Sequence, residues 1–159
     1  TGKEVTWIPS YGPEMRGGTA NCTVIVSEEQ IGSPLVRNPQ AAIVMNLPSL
    51  EKYEASIRPG GMLVVNSSLV SRKVTRNDIQ VVDVPANEIA EALGEKRLTN
   101  MVLVGALLGR LPLFTIAEVA ASLEAHLPTR RKEMLGQNIE ALQAGARVSQ
   151  EACPKKAAR

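Results

Sequence analysis

Five short apolar runs punctuate the first half of the chain: Val5 to Ile8, Thr23 to Val26, Ala41 to Met45, Met62 to Val65 and Val81 to Val84. They are rich in Val and Ile and nearly continuous in apolar character rather than alternating, the pattern of strands covered by helices on both faces. A largely parallel sheet is expected. Ser49 is placed to cap a helix carrying Leu50, Tyr53 and Ile57 at helical spacing, and Pro59-Gly60-Gly61 stops it before the next strand. Pro85-Ala86-Asn87 precedes a second short helix with Ile89 and Leu93 inward and Gly94 just past its end, and both helices fit right-handed βαβ connections.

Beyond Val84 no further strong strand pattern occurs and the chain turns helical. Met101 to Leu108 is apolar all round, which predicts a central buried helix with Asn100 as its cap, and Gly105 and Gly109 allow it a close neighbour. Thr115-x-x-Glu118 has the form of a capping box ahead of Ile116, Val119, Ala120 and Leu123. Thr129 starts a further helix with Met134, Leu135, Ile139, Leu142 and Ala146 on one face. Arg130, Arg131 and Lys132 fall in its first turn, where the helix dipole disfavours cations, so an acidic neighbour such as Glu133 or a partner is expected to offset them. The class that follows is α/β: a three-layer, mostly parallel, Rossmann-like sheet with helices on both faces and a helical C-terminal part. One domain over residues 1–150 and a flexible tail over 151–159 complete the expected organisation.

Composition narrows the function classes. The 159 residues suit a single core, with 44% hydrophobic and 21% charged residues. A formal charge of +2 and 3% aromatics argue against a nucleic-acid partner. Neither a secretory signal nor a twenty-residue apolar span is visible, so a cytoplasmic protein without membrane association is expected. Cys22 and Cys153 are too far apart for a metal knuckle, and Cys22, in a strand-like run, reads as a small buried hydrophobe. No metal set is predicted. His126, the one histidine, precedes Leu127-Pro128 at a predicted helix end, where a cation suits the dipole. With no nucleophile elbow and no P-loop or dinucleotide fingerprint, no catalytic residue is assigned.

Two polar stretches remain as candidate sites. Ser10-Tyr11-Gly12-Pro13-Glu14-Met15-Arg16-Gly17-Gly18-Thr19 joins two apolar runs and concentrates a rigid proline, free glycines, a carboxylate and a guanidinium. Tyr11, Met15 and Arg16 are types enriched at interface hot spots, so Ser10, Tyr11, Gly12, Glu14, Met15, Arg16, Gly17 and Gly18 are read as a subunit-docking loop. An anion cradled by Gly17-Gly18-Thr19 and Arg16 is the other reading, and a surface Glu14–Arg16 pair the blandest. Asn66-Ser67-Ser68 follows a strand and so lies at its carboxyl end, where open α/β sheets place ligands. Asn46, Asn66 and Ser67 form that candidate ligand edge, against the reading of a polar turn bonding its own backbone.

Glu4-Val5-Thr6-Trp7-Ile8-Pro9 with this loop and Thr23 to Ser27, then Asn46 to Glu54, Pro59 to Leu69, Pro85-Ala86 and Asn100 to Ala106, together resemble the gamma subunit of the 2-oxoacid:ferredoxin oxidoreductases. Pro13-Glu14-Met15-Arg16-Gly17-Gly18 makes the resemblance specific, and it covers nearly the whole chain. Members of the family normally open with a strand and a Gly-Gly-Gln-Gly turn, and that βα unit is missing here. The resemblance implies a complex that oxidatively decarboxylates a 2-oxoacid to its acyl-coenzyme A, with electrons passed to ferredoxin or a similar acceptor. Thiamine diphosphate, Mg, iron–sulfur clusters and CoA are implied for that complex and none for this chain alone. Alpha, beta and ferredoxin-like delta subunits are the implied partners, and the role here is structural and docking. The form of the loop is most similar to the 2-oxoglutarate branch, with pyruvate and branched-chain enzymes as alternatives. A freestanding module for a phosphorylated ligand is the competing class.

Overall fold

The computed structural model describes residues 2–11 and 20–152, the side chains of residues 11 and 129–131 excepted. Two compact units are present, Thr1–Arg37 and Asn38–Arg159.

In the first unit β1 (Glu4–Tyr11) and β2 (Ala20–Ser27) pair antiparallel, from Glu4 opposite Ser27 to Tyr11 opposite Ala20. The two were expected in the parallel sheet, and they form a two-stranded sheet of their own. The reason is chain length: parallel neighbours need a crossover of a dozen or more residues, and only residues 12–19 separate these strands. Exposure alternates from Val5 to Ile8 and from Ala20 to Ile25, and Cys22 is exposed rather than buried as predicted.

The second unit holds the parallel sheet, β3 (Ala41–Val44), β4 (Met62–Asn66) and β5 (Gln80–Val84), in that spatial order. All five residues of the central β4 are buried, the consequence of cover on both faces. Met62 and Val64 point to one core with Val82, Val84, Ala90, Val102, Leu103 and Ala141. Leu63 and Val65 point to the other, with Val44, Leu50, Ile57, Val70 and Ile79. The connection from β3 to β4 runs through α1 (Leu47–Tyr53) and a 3-10 turn at Glu54–Ser56. The connection from β4 to β5 contains no helix, and the second short helix, α2 (Ala86–Ala92), follows β5. Val70, Val74 and Ile79 do the packing of a helix from an irregular segment on the same face as Leu50.

A buried carboxylate holds that irregular segment. Glu54, 6% exposed, accepts hydrogen bonds from Arg72 Nη2 at 2.5 Å, Thr75 N at 2.6 Å, Thr75 Oγ1 at 2.7 Å and Arg76 N at 3.2 Å. Burial alone would raise its pKa, but the bonds from Thr75, Arg72 and Arg76 outweigh it and lower the value from the ordinary 4.5 to about 2. Arg76 donates in turn to Ile57 O at 2.5 Å and to both Asp78 carboxylate oxygens, at 2.8 and 2.5 Å.

The helical layer is α3 (Thr99–Arg110), α4 (Ile116–His126) and α5 (Leu135–Glu151). The predicted close approach of α3 involves α5: a Cβ on Gly105 would come 2.8 Å from Leu142 Cα, and one on Gly145 2.8 Å from Val102 C. The α3 and α5 helices run side by side in the same direction, and Arg110 at the end of α3 donates through Nε to Ser149 O at 2.5 Å and through Nη2 to Ala152 O near the end of α5. The capping box at the start of α4 is present as predicted, with Glu118 N donating to Thr115 Oγ1 at 3.1 Å and Thr115 N to Glu118 Oε2 at 2.8 Å. Three other expected starts differ. Asn46, rather than Ser49, caps α1, because its Oδ1 accepts Ser49 N at 3.0 Å while Pro48 occupies the first turn. The start of α3 at Thr99 follows directly from a 3-10 turn at Lys96–Leu98, which leaves Asn100 inside the helix. Thr129–Met134 is a 3-10 helix, so the cations at 130–132 precede α5 instead of sitting in its first turn.

Candidate functional site

Parallel strands ending together bring their carboxyl ends to one edge, and here that edge gathers Met45-Asn46 after β3, Asn66 to Ser68 at the end of β4, and Pro85 to Glu88 after β5. Asn66 is fully buried; its Nδ2 donates to Asn87 Oδ1 at 3.1 Å and to Met45 O at 3.5 Å, so one side chain ties all three strand ends. Its Oδ1 is buried and accepts no hydrogen bond among the described residues. An unpaired buried acceptor costs about 1–3 kcal/mol. The backbone turns sharply here: Leu69 N and Val70 N both donate to Asn66 O, at 3.2 and 3.1 Å, and Ser67 N donates to Val84 O at 2.9 Å.

Ser68 and α2 extend the cluster. Asn87 N donates to Ser68 Oγ at 3.0 Å, and Ser68 Oγ donates to the Glu88 carboxylate. That bond, followed by one from the Glu88 backbone, lowers the carboxyl's pKa. Ser67 is exposed, Asn46 is engaged as the α1 cap, and Asn66 is the buried centre, so the three predicted edge residues lie on one edge with three different roles. Asn87 and Glu88 escaped the sequence reading, because the short helix that carries them gave only an apolar signal. Around the cluster Met45, Leu47 and Leu69 are exposed at 40%, 37% and 57%, an apolar rim on a polar edge.

Of the predicted docking loop, Ser10 and the backbone of Tyr11 end β1 and pair with Asn21 and Ala20, which closes the base of the loop. Gly12, Glu14, Met15, Arg16, Gly17 and Gly18 lie outside the described residues. His126 ends α4, exposed, with Nδ1 2.8 Å from Ser122 O. Among the described residues no three His, Cys, Asp or Glu side chains gather in a way that could hold a metal ion. No helix among them is long and apolar enough to cross a membrane. A shallow cleft of about 220 Å³, lined by Arg97, Leu98, Asn100, Leu127, Met134 and Asn138, is smaller than the roughly 300–1,000 Å³ of ordinary ligand pockets.

Comparison with known proteins gives this geometry a family. The family model described as pyruvate ferredoxin/flavodoxin oxidoreductase matches residues 1–148. Ketoisovalerate oxidoreductase subunit VorA of Methanothermobacter thermautotrophicus is 33% identical over 151 residues, which cover 94% of this chain and 31% of VorA. The 2-oxoglutarate synthase subunit KorC of Methanothermobacter marburgensis is 30% identical over 148 residues, covering 89% of this chain and 78% of KorC. The chain thus spans about a third of the VorA polypeptide and about three-quarters of KorC. Among solved structures, the gamma subunit of a keto/oxoacid ferredoxin oxidoreductase from Geobacter sulfurreducens superposes with a TM-score of 0.75 at 27% identity, over 95% of this chain and 83% of that one. A 2-oxoglutarate:ferredoxin oxidoreductase from Magnetococcus marinus shares the fold, with a TM-score of 0.79 at 22% identity over 96% of this chain and 27% of that one. The chain belongs to the pyruvate ferredoxin/flavodoxin oxidoreductase family, as a gamma-subunit module of the 2-oxoacid:ferredoxin oxidoreductases.

Proposed function

We propose that this chain is the gamma subunit of a cytoplasmic 2-oxoglutarate:ferredoxin oxidoreductase, which converts 2-oxoglutarate and CoA to succinyl-CoA and carbon dioxide and passes the electrons to ferredoxin. The observation that carries the reading is the match to KorC, which extends over 78% of that subunit, whereas the match to VorA takes in 31% of a much longer polypeptide. Alpha and beta subunits and a ferredoxin-like delta subunit are the partners. In such an enzyme thiamine diphosphate supplies the electron sink for decarboxylation, and iron–sulfur clusters carry the electrons. Both belong to the other subunits in this reading.

The chain's own part is docking. Ser10 to Gly18 forms the contact loop, and the paired strands of β1 and β2 hold its two ends together. The carboxyl edge centred on Asn66 is the second surface, with Asn46 and Ser67 beside it. A branched-chain oxoacid is the second reading, favoured by the VorA identity of 33% over 151 residues. Anaerobic purification of the complete complex, with CoA-dependent ferredoxin reduction assayed on 2-oxoglutarate, ketoisovalerate and pyruvate, separates them. A kcat/KM at least about tenfold higher for 2-oxoglutarate, about 1.4 kcal/mol in transition-state binding, is the expected result. A preference for ketoisovalerate would move the chain to the branched-chain enzymes.

A further inference from the structure

Along α4, Ile116, Val119, Ala120 and Leu123 recur at spacings of three and four, the apolar stripe of an amphipathic helix. Such a stripe normally ends in a core. Here none of the eleven residues of α4 is buried, and the stripe is half-buried throughout. Neither core takes in a residue of α4 among the described residues, whereas α3 supplies Val102, Leu103 and Ala106 and α5 supplies Ala141. Between the start of α4 and α5 lies a cleft of about 280 Å³, lined by Ile116 on one side and by Gln143, Ala146, Arg147 and Gln150 on the other. Ile116 thus meets a gap and mostly polar neighbours, and an apolar side chain beside a gap forfeits part of its dispersion contacts. The bonds of the Thr115–Glu118 capping box and that of His126 to Ser122 O hold the helix to itself rather than to α5. At both ends the backbone is extended before a proline, at Leu111 ahead of Pro112 and at Leu127 ahead of Pro128, so α4 continues neither α3 nor the 3-10 helix that follows.

We propose that α4 is a hinged helix that leaves α5 and unwinds as one unit while the parallel sheet and the α3–α5 pair stay folded. Opening breaks neither core, so it costs only what the half-buried stripe contributes. Eleven residues are too few to remain helical alone in water, which makes departure and unwinding a single event. The capping box favours the same helix each time it re-forms, so the closed state is recovered without a search among alternatives. Elements at this low end of local stability are the ones that move when a protein changes conformation, and α4 is that element in the second unit.

Native-state hydrogen exchange on the full chain, resolved by residue with NMR, tests this. Relative to their intrinsic rates, the amides from Val119 to Leu127 are expected to exchange at least about a hundredfold faster than those from Leu103 to Arg110, and within about threefold of one another. Leu103→Ala, a deletion in the core shared with Met62 and Val64, is expected to speed exchange in α3 at least about thirtyfold and to leave α4 within about twofold, because α4 opens with that core intact. Acceleration of α4 in step with α3 overturns the proposal, since the helix then opens only with the whole fold. Protection in α4 within about threefold of that in α3 overturns it too, and so does protection that falls smoothly toward both ends of α4, the mark of fraying. If Leu103→Ala fails to fold, the wild type decides: about 1 M urea should speed α3 at least about fivefold and α4 less than about twofold, in proportion to the surface each opening exposes, and equal acceleration overturns the proposal.

Discussion

Replacing Glu54 with Gln should destabilise the protein at neutral pH and cost progressively less as the solution is acidified. The carboxylate accepts four hydrogen bonds, two of them from Thr75 at 2.6 and 2.7 Å and one from the Arg72 guanidinium at 2.5 Å. Its pKa is lowered from 4.5 to about 2 by those bonds against the opposing effect of burial. A carboxyl whose folded value lies below its unfolded value stabilises the fold above the unfolded value, and that stabilisation is lost as pH falls toward the folded value. The difference corresponds to about 3 kcal/mol at pH 7, about 1.4 kcal/mol at pH 3 and under about 0.5 kcal/mol at pH 2. Glu54→Gln keeps the shape and one acceptor but removes the charge, so the gap between wild type and variant should follow that curve, near 3 kcal/mol at pH 7 as an upper figure. Urea unfolding of both proteins at pH 7, 5 and 3, followed by far-UV circular dichroism, measures the gap at each pH. Other carboxylates with lowered values, Glu95 and Asp78 among them, titrate in both proteins and drop out of the comparison. A gap that stays constant with pH, or one below about 0.5 kcal/mol at pH 7, would show that the Glu54 charge does not hold the segment.

Other perturbations should separate packing from capping. Gly105→Ala places a methyl group against the Leu142 backbone, and the overpacking should outweigh the gain of about 1 kcal/mol in helix propensity, for a net loss of about 1–2 kcal/mol by urea titration. Gly136→Ala, in the first turn of α5 with nothing within 4 Å, should instead stabilise by about 0.5–1 kcal/mol, and the opposite signs are the check. Thr115→Ala removes half of the capping box and should cost about 1 kcal/mol, with amide exchange accelerating in the first turn of α4 and unchanged in α3. Asn46→Ala should cost a similar amount, about 1 kcal/mol, through loss of the α1 cap.

The helical half was legible because its signals are local. Thr115 and Glu118 are three residues apart, and the glycines that admit α5 stand out in an otherwise bulky run. The parallel sheet was legible for a related reason, since β4 is buried on both faces and its sequence Met-Leu-Val-Val carries no polar side. The hairpin was misjudged although its pattern was present: Thr6, Ser10, Asn21 and Thr23 occupy alternate positions that a strand buried on both faces would fill with apolar residues. Short apolar runs hid that alternation. The helix-free connection between β4 and β5 could not be foreseen, because its order depends on Glu54 meeting Thr75 and Arg76 across about twenty residues of sequence, a contact without local signature. Asn66 at the sheet edge was found by position alone, but its partners Asn87 and Met45 are brought to it only by the parallel register.

Omission of the chain decides whether it is, as proposed, a gamma subunit needed for 2-oxoacid oxidation. The other subunits would be prepared anaerobically without this chain, assayed for CoA-dependent reduction of ferredoxin by 2-oxoglutarate, and assayed again after stoichiometric addition of the purified chain. Little activity is expected without it and recovery on addition, together with a shift of the complex to higher mass. Full activity in its absence, or addition without either recovery or binding, would rule out the gamma-subunit role.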